Sequence, residues 1–168
     1  KEYKTLYPNI ALTVTTGTSE PTILKIRNNE VDVGVLTLPV ESQDLEVASV
    51  FREEMVVVTS HNHPLSKKTE VTPEEIASMP LILFERGSNT RKIIDQFFDK
   101  HDISPQIIME MENVEIIKPL VDIGLGITII PYQPIVREVE AGTLHFLRIA
   151  GFPLYRELGL VILKMSYQ

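Results

Sequence analysis

Leu81-Ile-Leu-Phe-Glu-Arg-Gly-Ser-Asn-Thr-Arg-Lys-Ile-Ile-Asp95 reads as a buried strand, a tight turn and the start of a helix. Leu81 to Phe84 is apolar without interruption, the pattern of a strand covered on both faces. Gly87 permits the sharp turn, and Ser88, Asn89 and Thr90 are all good helix-capping types. Ile93, Ile94, Phe97 and Phe98 then recur at helical spacing, with Asp95, Gln96 and Asp99 on the other face. The product is a helix N-terminus with free N–H groups, hydroxyls and an amide, flanked by Arg86, Arg91 and Lys92. Such a terminus attracts anions. Two readings stand at this point: an ordinary capped turn with solvated basic residues, and an anion cradle.

Toward the N-terminus, Thr72-Pro-Glu-Glu75 is a capping box with proline at the first helical position. Its helix is short, because Pro80 follows Met79. Residues 47–50 and 55–59 are expected as two strands, and His61-Asn-His-Pro64 breaks the pattern. Tyr3, Leu6 and Tyr7 read as the end of an amphipathic helix, stopped by Pro8-Asn9. Residues 10–14 alternate as a strand does, and Thr15-Thr-Gly-Thr-Ser19 is a hydroxyl-rich turn. Pro21 leads a helix through Ile23, Leu24, Ile26 and Arg27, and residues 31–36 form the next strand. Strand, helix and strand in succession imply a right-handed parallel crossover.

Toward the C-terminus, residues 107–111 form a strand, and Asn113 caps a helix carrying Ile117, Leu120 and Val121. Pro119 inside that helix is expected to kink or weaken it. Gly124-Leu-Gly-Ile-Thr-Ile-Ile-Pro131 ends the helix in a left-handed cap and opens a buried strand. Its G-x-G follows a helix and precedes a strand, the reverse of the dinucleotide fingerprint. Ile135, Val136 and Val139 make a short helix closed by Gly142, and residues 144–149 and 158–163 are the last strands. The alternation predicts an α/β protein with parallel sheets, whose ligands bind at the carboxyl ends of the strands. The candidate turns are then 16–19, 37–39, 85–90, 112–113 and 131–132.

A chain of 168 residues forms one domain or two small lobes with a real core. Its net charge of −7 argues against nucleic-acid binding by these residues, since phosphate contact needs a basic surface. The lack of cysteine removes disulfides, thiol catalysis and cysteine metal sites. No apolar run approaches membrane-spanning length, so no membrane association is expected.

The order of these pieces resembles the effector-binding domain of LysR-type transcriptional regulators. The likeness runs nearly end to end through Tyr7-Pro8, Gly17-Thr-Ser19, Asn29-Glu-Val-Asp-Val-Gly-Val35, His63-Pro-Leu65, Gly87-Ser-Asn-Thr-Arg91 and Val121-Asp-Ile-Gly-Leu-Gly-Ile-Thr-Ile-Ile-Pro131. The resemblance implies two Rossmann-like lobes of the type II periplasmic-binding-protein architecture, with interlobe crossings near 60–63 and 146–149. Residues 1–61 and 147–168 would form lobe I, without the family's usual first strand and final helix, and residues 62–146 lobe II. A small effector would lie between them, facing the turn at 16–19 and the helix start at 87–90. The resemblance favours the cradle reading of the opening stretch. It also implies a cytoplasmic homodimer or higher homo-oligomer. DNA would be contacted only through a winged helix-turn-helix outside these residues.

The candidate effector-binding residues are Thr16, Thr18, Ser19, Thr37, Arg86, Gly87, Ser88, Asn89, Thr90, Asn113 and Tyr132. Thr18 and Ser19 offer hydroxyls that serve equally as caps for the helix near Pro21. Ser88, Asn89 and Thr90 combine hydroxyl, amide and backbone donors. Arg86 either pairs a carboxylate through two parallel bonds or is a solvated rim charge. Thr37, Glu112 and Asn113 are placed by turn position, and Tyr132 lies over the cleft or packs at the interlobe joint. These donors point to an anionic effector, a carboxylate above all. His61 and His63 share a face in an extended segment but lack a third ligand, so they read as structural and no metal is expected. No cofactor is expected. Enzyme motifs are missing: there is no G-x-S-x-G, H-E-x-x-H or G-x-x-x-x-G-K-[ST]. The expected function is effector sensing for a bacterial transcriptional regulator. The alternative is the solute-binding protein of an import system, and an enzyme on the same scaffold stands last.

Overall fold

Sixteen residues, Leu45–Ser60, form a single strand that runs through both halves of the molecule. In the computed structural model, which describes residues 2–164, the chain begins with α1 (Glu2–Leu6), α2 (Ser19–Arg27), β1 (Gly34–Thr37) and that long strand, β2. A 3₁₀ turn (Pro64–Lys67), β3 (Glu70–Val71), α3 (Pro73–Ala77), β4 (Pro80–Phe84) and α4 (Asn89–Lys100) follow. Then come β5 (Gln106–Met111), α5 (Val114–Asp122), β6 (Thr128–Pro131), a second 3₁₀ turn (Gln133–Ile135) and α6 (Val136–Ala141). The last two strands are β7 (Leu144–Ile149) and β8 (Leu154–Leu163). Residues 1 and 165–168 lie outside the described residues, and so does the end of the expected lobe I segment.

Two parts of one six-stranded sheet share β2. In the first, β8 lies between β1 and β2 and is antiparallel to both. In the second, β2 pairs antiparallel with β6 and β7, and β7 pairs in parallel with β3. Parallel strands β4 and β5 join this layer through the Ile82 N–H on Ile127 O and the Ile127 N–H on Pro80 O, both 2.9 Å. The pairing is therefore mixed, not parallel as expected: β2 and β8 run antiparallel to their neighbours, while β3 with β7 and β4 with β5 are parallel. The partner of β2 changes from β8 to β6 at Met55, and residues 57–60 are paired with β7. The chain thus passes from one part of the sheet to the other inside β2 and again in the turn after β7.

Two expected strands at 47–50 and 55–59 are one strand whose register shifts between Ser49 and Phe51. The expected strand at 10–14 is not formed. Ile10, Leu12 and Val14 are exposed, and alternation alone makes no strand where no neighbour supplies a ladder. Each lobe has its own core. Ile26, Leu36, Leu45 and Val161 close the smaller one between α2 and the first part of the sheet. The larger is built on Val56, Val57, Val58, Leu81, Ile82, Ile94, Phe98, Ile117 and Ile129.

Local chemistry sets the helices around this frame. Thr72 Oγ1 accepts the Glu75 N–H at 3.2 Å while Glu75 Oε2 accepts the Thr72 N–H at 3.0 Å, a complete capping box on α3. α5 holds Pro119 without interruption and stops at Asp122, where Gly124 takes a left-handed φ of 80°. Gly126 serves closeness instead: a Cβ there would stand 2.6 Å from Pro80 O.

Candidate functional site

The N-terminus of α4 is held directly against the end of β1, joining the two lobes. Gly87, at φ 95°, turns the chain out of β4, and Ser88 caps the helix by accepting the Arg91 N–H on its Oγ at 3.0 Å. Asn89 then donates from Nδ2 to Thr37 O at 2.7 Å. Thr90 Oγ1 lies 3.3 Å from Thr37 Oγ1 and accepts from Arg156 Nη1 at 3.2 Å. Arg156 in turn donates from Nε to Glu53 Oε2 at 2.7 Å, and its Nη2 stands 2.7 Å from the same oxygen. Thr37, Thr90 and Glu53 are all buried.

A second helix start faces this junction from lobe I. Thr18 occupies the N-cap of α2 in extended backbone, yet its side chain makes no capping bond. Its carbonyl instead accepts the Thr22 N–H at 3.2 Å and the Thr22 hydroxyl at 2.8 Å. Thr18 therefore does not cap this helix through its hydroxyl, and Pro21 at the third helical position has no N–H to offer it. A hollow of about 430 Å³ opens between the lobes here, bordered by Ser19, Ile23, Pro39, Ser42, Asn89 and Lys92. Thr16 is exposed and does not border the hollow.

The basic residues of the opening stretch separate. Arg86 is a rim charge, its side chain 80% exposed and 3.5 Å from Glu110. It borders a different hollow, of about 560 Å³, with Asp95, Phe98 and Pro105. Arg91 is only 2% exposed and is spent on Phe84 O, Asp95 and Glu110, at 2.7, 2.7 and 3.2 Å. Lys92 faces the interlobe hollow, its Nζ 3.4 Å from Asn89 Oδ1. Asn113 uses its side-chain oxygen to accept the Glu115 and Ile116 N–H groups, capping α5. Tyr132 packs its ring on Phe146, centroids 4.7 Å apart, and its N–H reaches Glu54 O on β2 at 3.1 Å, so it sits at the interlobe joint. His63 Nδ1 accepts the Leu65 N–H at 3.2 Å, a structural cap. Among the described residues, no three His, Asp or Glu side chains are grouped to hold a metal.

Sequence reasoning brought Thr37, Asn89 and Thr90 together and missed Glu53 and Arg156. Both leave a period-two signal. Glu53 shares a face with Met55 and Val57 on β2, and Arg156 shares one with Leu154 and Leu158 on β8. A charge on the covered face of a strand announces a buried partner.

The family described as LysR substrate binding domain matches residues 1–168. The HTH-type transcriptional activator CmpR of Synechocystis sp. (strain ATCC 27184 / PCC 6803 / Kazusa) is 30% identical over 163 residues, 97% of this chain and 54% of that protein. The RuBisCO operon transcriptional regulator of Acidithiobacillus ferrooxidans is 31% identical over 153 residues, 91% of this chain and 50% of that protein. The chain thus spans about half the length of the curated relatives it matches. Among solved structures, the Synechocystis PCC6803 CcmR regulatory domain in complex with 2-PG superposes with a TM-score of 0.88 at 26% identity, over 99% of this chain and 80% of that one. The effector binding domain of QuiR in complex with shikimate does so with a TM-score of 0.81 at 26% identity, over 90% and 71%. A full-length match to the family, the two-lobed α/β architecture and the interlobe junction agree: this chain belongs to the LysR substrate-binding-domain family.

Proposed function

We propose that this chain is the effector-sensing part of a cytoplasmic bacterial transcriptional regulator. It binds a small anionic metabolite between its lobes and passes the event to a winged helix-turn-helix outside these residues. Lobe I takes the chain up to the crossing in β2 and again from β8, and lobe II takes the chain between, a division supported by the change of strand partner. The parent acts as a homodimer or higher homo-oligomer and senses its ligand without converting it. The relatives' names favour this reading over the solute-binding protein of an importer. One of the ligands named with the solved relatives, shikimate, is a carboxylate.

The observation that carries the reading is the junction of Thr37 with Asn89 and Thr90. Two helix N-termini approach it from opposite lobes, and the hollow beside it is lined by Ser19, Asn89 and Lys92. N–H groups at helix starts and a lysine suit an anion. The proposed contacts are Thr18, Ser19, Asn89 and Lys92, with Thr16, Thr37, Gly87, Ser88, Thr90 and Tyr132 as their frame. Arg86 and Asn113 are left out, because one faces solvent beside Glu110 and the other is committed to α5. A thermal-shift screen against small mono-, di- and tricarboxylates and phosphates tests it. A ligand at one hundred times its Kd stabilises by about 2.7 kcal/mol. That raises the Tm by roughly 5–10 °C for a chain of this size. Asn89→Ala and Thr18→Ala should each reduce the rise. Stabilisation by neutral compounds alone would discard the anion, and hits untouched by both substitutions would discard the cleft.

A further inference from the structure

We infer that the effector carries an ammonium group as well as its anionic one, and that the interlobe hollow holds it by both ends: the carboxylate or phosphate toward α4, the ammonium toward α2. This rests on the interlobe reading above and names the class of metabolite within it, an amino acid or another amino-substituted anion.

The hollow, about 430 Å³, is of small-molecule size, and charges of both signs border it. Lys92 brings an ammonium whose one bond among the described residues is the long contact with Asn89 Oδ1, 3.4 Å. Glu20 and Glu41 bring carboxylates, and neither has a hydrogen bond or ion pair among the described residues. Arg27 also borders the hollow but adds no free cation, because Asp44 already neutralises it. The free charge is thus two carboxylates against one ammonium. A purely anionic ligand would gain Lys92 and meet Glu20 and Glu41, and such like-charge meetings reject a ligand. A cationic group beside the anionic one turns both carboxylates into partners.

The charges are also sorted by element. α4 has no acidic residue in its first turn and carries Lys92, so its N-terminal end is positive. α2 carries Glu20 in its first turn, which offsets the positive end of that helix. Complementing the α2 dipole is the ordinary role of Glu20, but Glu41 stands outside any helix or strand and has no such role. Ile23 and Val40, both half-buried, give the same hollow an apolar wall for a short carbon chain. Glu20, Glu41 and Lys92 are exposed, so each stays hydrated until a ligand replaces the water. α4 belongs to lobe II, whereas α2 and the loop after β1 belong to lobe I. A ligand carrying both charges therefore ties the lobes together, which a single charge held at one end does not.

The test compares, by calorimetry, acids with and without an amino group on the same carbon chain: 4-aminobutyrate with butyrate, and glutamate with glutarate. The amino member of a pair should bind about tenfold tighter. Glu20→Gln combined with Glu41→Gln keeps the shape and should bring that ratio to about one. Damage to the fold would weaken both members alike, so the ratio is the readout, and either single substitution, which should lower it in part, serves if the double variant does not fold. Lys92→Gln should weaken both members by roughly threefold to tenfold at unchanged Tm. Butyrate, glutarate or inorganic phosphate binding as tightly as the amino compounds, or more so, overturns this inference and spares the cleft. So does an amino preference that the double substitution leaves intact. Failure of all four acids and of inorganic phosphate to bind overturns both.

Discussion

Replacing Arg91 with methionine separates two roles for one side chain. Read along the sequence, Arg91 is a cation at a helix start, ready for an anion. In the fold it is 2% exposed and braces α4 to β4 and β5. The magnitude of Arg91→Met follows from what each partner does when the guanidinium leaves. Phe84 O, held at 2.7 Å in a buried setting, loses its partner, which costs about 1–3 kcal/mol. Asp95 and Glu110 have side chains 44% and 35% exposed, so water takes over and each pair is worth only about 0–1 kcal/mol. Methionine refills the apolar part of the space and avoids the desolvation of a charge. The net loss is then about 2 kcal/mol, below the 3–5 kcal/mol typical when a buried charge is stranded.

Urea denaturation reads this directly as a lower midpoint at unchanged slope. The matching fall in Tm is roughly 4–8 °C for a chain of this length. Well below that Tm, affinity for an anionic ligand should change less than about threefold. Equal or greater stability in Arg91→Met would refute the brace, because it would mean the Phe84 carbonyl lost nothing. Unchanged stability together with a tenfold or larger loss of anion affinity would restore the cradle reading.

Lys118 links α5 to α6 through Glu138 at 2.7 Å and Glu115 at 2.9 Å, and donates to Pro134 O at 3.2 Å. Burial pulls its pKa down, but the bonds to Glu138 and Glu115 outweigh that and leave it above 10.5, while Lys118 holds Glu138 below 4.5. The pair's stabilisation is thus fully present between these values; it is lost as acid protonates Glu138 and as alkali neutralises Lys118. Lys118→Met should cost about 2 kcal/mol near neutral pH, and the difference from wild type in urea midpoint should shrink below about pH 4.5. Gly126→Ala drives a methyl to 2.6 Å from Pro80 O and should destabilise by about 1–3 kcal/mol or more, visible as a lower Tm. Thr90→Val keeps the shape but deletes the hydroxyl between Thr37 and Arg156, and should cost about 1–2 kcal/mol by the same urea measurement.

What the sequence discloses follows the range of the physics. The capping box at Thr72 and Glu75, the caps at Ser88 and Asn113 and the left-handed Gly124 each involve residues within a few positions, and all formed as read. Turn position alone put Thr37, Asn89 and Thr90 among the candidates, and the fold bonds these three to one another. Contacts of long sequence separation were not legible. Nothing local says that Arg91 turns inward to Phe84, or that Glu53 meets Arg156 across 103 positions. The single β2 was read as two strands because its alternation slips at the register shift between Ser49 and Phe51. Residues 10–14 carry a correct alternation without a neighbouring ladder, so the same pattern gave opposite outcomes in two places.

The junction also fixes the energy scale on which an effector of the proposed kind must work. Three hydrogen bonds hold it: Asn89 to Thr37 O, Thr37 with Thr90, and Arg156 to Thr90. At about 1 kcal/mol for each neutral bond and about 1.5–3 for the charged one, the junction is worth roughly 3–5 kcal/mol. That exceeds the 1–3 kcal/mol at which allosteric coupling typically operates, by about one such bond. An effector that had to break all three would spend more than such coupling returns. One that loosens only the contact between Thr37 and Thr90 while Asn89 stays on Thr37 forfeits about 1 kcal/mol and stays within that range. Differential affinity of this size shifts a lobe arrangement without dissolving the joint. The buried Glu53–Arg156 pair, which adds little net stability as an ion pair, keeps Thr90 in place at that joint through the bond from Arg156.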